Sequence, residues 1–147
     1  MLKIKSIKLF DLTNDFYNKY LNLLNQFRNT NFSKEFLLEF IISLPNNHDI
    51  FILFDDKNND VIGTITILLE KKLINNGKLV CHIEDLIICN QYKNNGYGTK
   101  FLEFIKVYAR EKNCYKIILN CDNKLKIFYE KNYFINKNIQ MSLYFDI

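Results

Sequence analysis

At 147 residues, 48% of them hydrophobic, the chain is long enough for one core and too short for two. Its 20 basic and 16 acidic side chains are scattered, leaving a formal charge of +4 and no polybasic run, which argues against a nucleic-acid arm and suits an anionic small molecule. Cys81, Cys89, Cys114 and Cys121 lack the spacing of a zinc site, no secretory segment opens the chain, and no apolar run reaches the roughly 18 residues of a membrane span. The expectation is one metal-free domain over residues 1–147, with reduced thiols, in the cytoplasm.

Residues 1–9 alternate apolar and polar side chains and predict an opening strand. Thr13 or Asn14 caps a helix whose apolar face is Phe16, Tyr20, Leu23, Leu24 and Phe27. Ser33 caps a second, with Phe36, Leu37, Phe40, Ile41 and Leu44 before Pro45 stops it. Residues 50–54 and 61–69 are β-branched runs around an acidic, Asn-rich turn, and predict a hairpin. A strand follows over 79–89, then a helix over 98–112 that carries Phe101, Leu102, Ile105, Tyr108 and Ala109 on one face. A short buried strand at 116–120, a helix at 123–131 and an alternating last strand at 139–145 complete an α/β order without linkers or repeats.

Between the 79–89 strand and the next helix lies Gln91-Tyr92-Lys93-Asn94-Asn95-Gly96-Tyr97-Gly98. A glycine-containing loop at a helix N-terminus presents backbone N–H groups and the positive end of the helix dipole, a setting that favours a pyrophosphate. The motif is short, and Asn75-Asn76-Gly77 in an ordinary connection has the same composition, so a plain turn is the competing reading. Context separates the two: a strand precedes the loop, an amphipathic helix follows it, and Phe128-Tyr129-Glu130-Lys131 lies on a later helix.

The loop from Lys93 to Gly98 resembles the acetyl-CoA motif of the GNAT acetyltransferase superfamily, and Phe128-Tyr129-Glu130-Lys131 resembles that superfamily's late helix. His82-Ile83-Glu84-Asp85, Cys114-Tyr115-Lys116-Ile117-Ile118-Leu119 and Cys121-Asp122 narrow the resemblance to glucosamine-6-phosphate N-acetyltransferases, over roughly residues 72–134. The resemblance implies a GNAT fold, with a mixed central sheet splayed at the acetyl-CoA site and flanked by helices. It implies acetyl-CoA as co-substrate, no metal, and a homodimer with shared sites that acetylates an amino-sugar phosphate. Acceptance of another amine, such as a polyamine or a protein N-terminus, and a CoA-binding module without catalysis are the alternatives.

The resemblance also implies roles. Lys93, Asn94, Asn95, Gly96, Tyr97, Gly98, Thr99 and Lys131 would hold the CoA, together with free N–H groups at Leu86, Ile87 and Ile88. Tyr129 would protonate the departing sulfur; composition alone favours core packing with Phe128, and the resemblance reverses that. Asn120 would lie beside the amine, acting through its backbone carbonyl because an amide is no base. Glu84 and Asp85, expected on opposite faces of a regular strand, would bind the sugar with Thr30, Lys72, Tyr115 and Lys116. His82 reads as a packed strand residue rather than a base. Departures from the family pattern are Lys93 for Gln or Arg, Asn94 for Gly, Asn120 for an acid, Asn75 for His, and Tyr144 for an Arg that would grip phosphate bidentately.

Overall fold

The computed structural model describes residues 1–146. The β-branched runs form strands β1 (Leu2–Ser6), β2 (His48–Asp55), β3 (Asp60–Lys72), β4 (Lys78–Ile88) and β5 (Cys114–Leu119). The segments with helical spacing form α1 (Asn14–Asn25), α2 (Lys34–Ser43), α3 (Tyr97–Glu111) and α4 (Asn123–Lys131). Thr13 Oγ1 and Ser33 Oγ each accept the N–H three residues on, from Phe16 and Phe36, fixing where α1 and α2 begin.

The strands lie in the order β1-β2-β3-β4-β5, antiparallel except for the parallel β4–β5 pair, which α3 connects. Alternation along β2 divides the interior: Ile50 and Ile52 join Phe16, Tyr20, Leu23, Leu37 and Ile41 beneath α1 and α2, whereas Phe51 and Leu53 join Phe101, Leu102, Ile105 and Tyr129 beneath α3 and α4. Each helix pair thus packs on one face. The α1–α2 layer does not extend over the far half of the sheet, where Leu68 on β3 and Ile118 on β5 are both 36% exposed.

Several expectations are corrected. The opening strand stops at Ser6, where the Ser6 hydroxyl accepts from Lys8 N and turns residues 7–9 into a 3-10 helix. Phe27 lies beyond α1, and α2 buries Leu37 and Ile41 while leaving Phe36 and Phe40 exposed, because a single sheet contact covers only a narrow stripe of a helix. Strand β5 is an edge strand rather than a buried one, with Tyr115, Lys116 and Ile118 exposed. Residues 139–145 form no strand; Ile139, Met141, Leu143 and Phe145 are each at least 77% exposed, and the segment pairs with neither outer edge of the sheet, since alternation alone does not make an isolated strand stable.

Candidate active site

Strand β4 changes face partway along. Cys81 and Ile83 pack with the α3 cluster, yet Ile87, at even spacing from both, packs with the α1 cluster. On a regular strand all three would share a face. The reversal arises from a bulge: Thr66 pairs with Glu84 and Thr64 with Ile87, so two residues of β4 stand opposite one of β3, and Asp85 takes a left-handed φ of 48°. Aspartate tolerates that region better than most side chains do. The expected alternation of Glu84 and Asp85 is therefore broken. Both are exposed, so neither carries a burial penalty within one chain.

The bulge coincides with a parting of strands. The β4–β5 ladder ends at the pair Ile83 and Leu119, and from Glu84 to Ile88 strand β4 has no partner on that side. Leu86, Ile87 and Ile88 thus lie on a main-chain edge opened inside a sheet, with Asn120 exposed just past the end of β5. On the other side β3 crowds β4, where a Cβ at Gly63 would stand 2.7 Å from the Ile87 carbonyl oxygen and 2.8 Å from Ile88 Cδ1. Sequence reasoning missed Gly63; its signal was a lone glycine inside a β-branched run.

The loop after β4 is built to leave donors free. Gly96 caps α3 at φ 76°, and no side chain caps that helix. Among the described residues, no acceptor takes the backbone N–H of Asn94, Asn95, Gly96, Tyr97, Gly98 or Thr99. Lys93 and Lys100 flank them, and residues 91–100 contain no acid. Asn94 also has a positive φ, 62°, and the Asn95 side chain donates to the Tyr92 and Lys93 carbonyl oxygens, bracing the turn. The two glycines have different tasks. At Gly96 a Cβ would meet nothing within 4 Å, so the residue is required by its backbone angle; at Gly98 a Cβ would stand 2.9 Å from Phe128 Cζ, so it admits α4 rather than a ligand.

Other ties were not legible. Gln26, at the end of α1, accepts from Asn90 N at 2.7 Å, and the Tyr92 hydroxyl donates to Asp60 at 2.6 Å. Asn132, only 4% exposed, donates to the Phe128 carbonyl oxygen and to Thr99 Oγ1, linking α4 to the first turn of α3.

Tyr129 is 8% exposed, packed edge-on against Phe128 and Phe134. Burial, with a smaller contribution from nearby Cys121, pushes its phenol up to about 12, so it remains protonated at neutral pH. Its hydroxyl has no hydrogen-bond partner among the described residues. Lys131 is exposed at the end of the same helix.

The remaining predicted residues are spread more widely. Thr30, between α1 and α2, is held locally, its N–H to Asn25 Oδ1 and its hydroxyl to the Arg28 carbonyl oxygen. Lys72 ends β3, six residues beyond the rung of Glu84, but its side chain folds back so that Nζ lies 2.6 Å from Glu70 Oε1. The second oxygen of Glu70 lies 2.7 Å from His82 Nε2, and the Lys72 bond first, the His82 bond second, hold that carboxyl below its usual range. Tyr115 and Lys116 lie at the start of β5, several residues from Asn120, with the Lys116 ammonium 5.5 Å from the Tyr115 ring centre. One chain therefore gathers the loop, the open β4 edge, Asn120 and Tyr129 at one end of the β4–β5 gap, and leaves Tyr115 and Lys116 at the other. Among the described residues no group of three His, Cys, Asp or Glu side chains is placed to hold a metal.

Known proteins share this arrangement. The model of the acetyltransferase (GNAT) family matches residues 9–133. A glucosamine 6-phosphate N-acetyltransferase of Arabidopsis thaliana is 35% identical over 108 residues, 74% of this chain and 72% of that protein. One from Dictyostelium discoideum is 35% identical over 133 residues, 88% and 85% of the two chains. The crystal structure of the glucosamine-6-phosphate N-acetyltransferase from Arabidopsis thaliana superposes with a TM-score of 0.84 at 30% identity, covering 99% of each chain. A bulged, parted β4 beside an uncapped helix, carried by a sequence this close to those proteins, makes the chain a member of the GNAT acetyltransferase family, in the group of the glucosamine 6-phosphate N-acetyltransferases.

Proposed function

We propose that this protein transfers the acetyl group of acetyl-CoA to the amine of glucosamine 6-phosphate, giving N-acetylglucosamine 6-phosphate for UDP-N-acetylglucosamine synthesis, by direct transfer in a ternary complex. The observation that carries the reading is the open β4 edge at Leu86, Ile87 and Ile88, set next to the uncapped N-terminus of α3 in a chain related to enzymes of that name. A thioester needs a polarised carbonyl, an oriented amine and a proton for the leaving sulfur. The residues fit a CoA ester: the N–H groups of residues 94–99 face a pyrophosphate, with Lys93 and Lys131 adding charge.

N–H groups of residues 86–88 hold the pantetheine arm and polarise the acetyl oxygen. The Asn120 carbonyl accepts a hydrogen bond from the attacking amine whatever its side chain. Tyr129 donates its proton to the CoA sulfur, which a protonated phenol with no competing partner is free to do. Glu84, Asp85 and Thr30 bind the sugar; Lys72 and Lys116 lie toward its phosphate, and Tyr115 toward the sugar.

The same reading makes the protein a cytoplasmic homodimer. The outer edge of β5 is unpaired, and residues 139–145, apolar at alternate positions, join no strand of their own chain. A second copy supplies each with its match, and brings residues from two chains to one site. CoA release measured on a panel of amines tests the function: glucosamine 6-phosphate is expected to be turned over with the highest kcat/KM. Preference for a polyamine or a peptide N-terminus would assign another acceptor, and CoA binding without turnover of any amine would make the protein a binding module.

A further inference from the structure

The half of the sheet left bare by α1 and α2 carries a polar cluster in which the preceding assignments leave His82 and Glu70 without a role. Its centre is His82, on β4 between Leu68 of β3 and Ile118 of β5, and 23% exposed. His82 Nε2 stands 2.7 Å from Glu70 Oε2, while Lys72 occupies the other oxygen of Glu70 at 2.6 Å. Glu70 is held ionised by these two neighbours, and an ionised carboxylate is acceptor only. Nε2 must therefore carry the hydrogen, and in the neutral ring Nδ1 carries the lone pair. No described residue donates to Nδ1.

Two residues further along β4, on the same face, Glu84 has neither an ion-pair partner nor a hydrogen-bond partner for its carboxylate among the described residues. Two residues of strand separate the backbones of His82 and Glu84 by about 7 Å. The bare face thus presents two acceptors without donors among the described residues, on the stretch of β4 that leads to the place where β4 and β5 part. An ammonium group is the complementary ligand: three donors, no acceptor, one proton to lose.

We propose that the Glu70–His82 pair is the proton acceptor for the amine substrate: Glu70 fixes the ring with Nε2 protonated, and Nδ1 receives, through a water held at Glu84, the proton that the ammonium must shed before attack. This rests on the acetyl-transfer reading above. An amine with a pKa near that of an α-amino group, about 8, is mostly protonated at neutral pH and cannot attack a carbonyl in that form. The N–H bond breaks and the Nδ1–H bond forms; the freed nitrogen adds to the thioester carbon; the C–S bond breaks. One proton returns from His82 to solvent; Tyr129 passes its proton to the CoA sulfur, and the second amine proton, lost from the adduct, goes through water to the Tyr129 oxygen, so that one proton is released overall. The charged and titratable groups that share the face with the imidazole on β2 to β5 are His48 on β2, Glu70 and Lys72 on β3, Lys78 and Glu84 on β4 and Lys116 on β5. Glu70 here is a positioning residue, acting through the ring.

The test compares pH profiles of kcat/KM on whichever amine the parent turns over best. His82→Gln retains a donor for Glu70 and removes the lone pair. It is expected to lower kcat/KM about 10²-fold near neutral pH, with the deficit closing toward pH ~9, where the amine is already free. Calorimetric affinity for CoA should remain within about twofold of the parent. Glu70→Gln should show a smaller loss with the same pH shape; if His82→Gln does not fold, this variant decides, and a parent-like profile overturns the proposal. So does a His82→Gln enzyme as fast as the parent, or one whose deficit is equal at both ends of the range. A parent that acetylates no amine overturns this proposal and the functional reading together, whereas parent-like turnover by His82→Gln overturns only the former.

Discussion

At the scale of single residues, Tyr129 joins two links that usually conflict, since the burial that makes it part of the core also keeps its phenol protonated. Tyr129→Phe preserves the packing against Phe128 and Phe134 and removes only the hydroxyl, which has no partner to strand. Turnover is expected to fall about 10²-fold, at the low end for a general acid because a thiolate leaves readily, while KM for acetyl-CoA stays nearly constant. A steady-state comparison under conditions where chemistry limits the rate checks this. Tyr20 and Tyr129 are both pushed up to about 12, chiefly by burial, and Tyr92 reaches about 12 chiefly through its bond to Asp60. Their unfolded values lie near 10, so above that pH the unfolded chain loses these protons first. Stability is therefore expected to fall from pH ~10 to ~12, and melting curves of Tyr20→Phe should show a shallower fall. Of these residues, the sequence made Tyr129 legible through its neighbours in Phe128-Tyr129-Glu130-Lys131. The Glu70–His82 bond was hidden, because it joins positions 12 residues apart whose rungs only the sheet register determines.

Elements explain more than residues do about why the site stands where it does. Periodicity made the helices and strands of the core readable, because a buried face leaves an arithmetic trace: Phe101, Leu102, Ile105 and Ala109 are all buried as their spacing requires. It failed where packing decides. The bulge at Asp85 leaves no pattern in Ile83 to Ile88, and the ends of α2's apolar face depended on how little of that helix the sheet covers. The phosphate loop was half legible. Its glycines look alike in sequence, yet Gly96 serves a backbone angle and Gly98 a neighbouring helix. Gly96→Asn, which tolerates the left-handed region, should therefore keep stability within about 1 kcal/mol of the parent while weakening CoA about tenfold, because its side chain enters the space above the free N–H groups. Gly98→Ala should instead cost about 1–3 kcal/mol of stability by displacing Phe128. Chemical denaturation paired with CoA titration separates the two; equal effects of both substitutions on both quantities would remove the distinction.

For the molecule as a whole, the split between α1–α2 on one side and α3–α4 on the other leaves part of the sheet bare, and the outer edges of β1 and β5 are both unpaired. The order of elements was readable from end to end except for the last strand, where residues 139–145 alternate as a strand would but stay exposed and unpaired. Deleting residues 139–147 is expected to leave a folded monomer, since the described residues of that segment, 139–146, are all exposed, and, on the proposed dimer, to lower activity by separating its two copies. Sedimentation of both forms at micromolar concentration checks it, and a full-length protein that is monomeric and fully active would contradict it. The central claim, acetylation of an amino-sugar phosphate, is tested most directly by the ratio of kcat/KM for glucosamine 6-phosphate to that for glucosamine. A ratio of about 10² or more, worth about 2.7 kcal/mol of recognition at the phosphate, is predicted; a ratio near one would contradict the account.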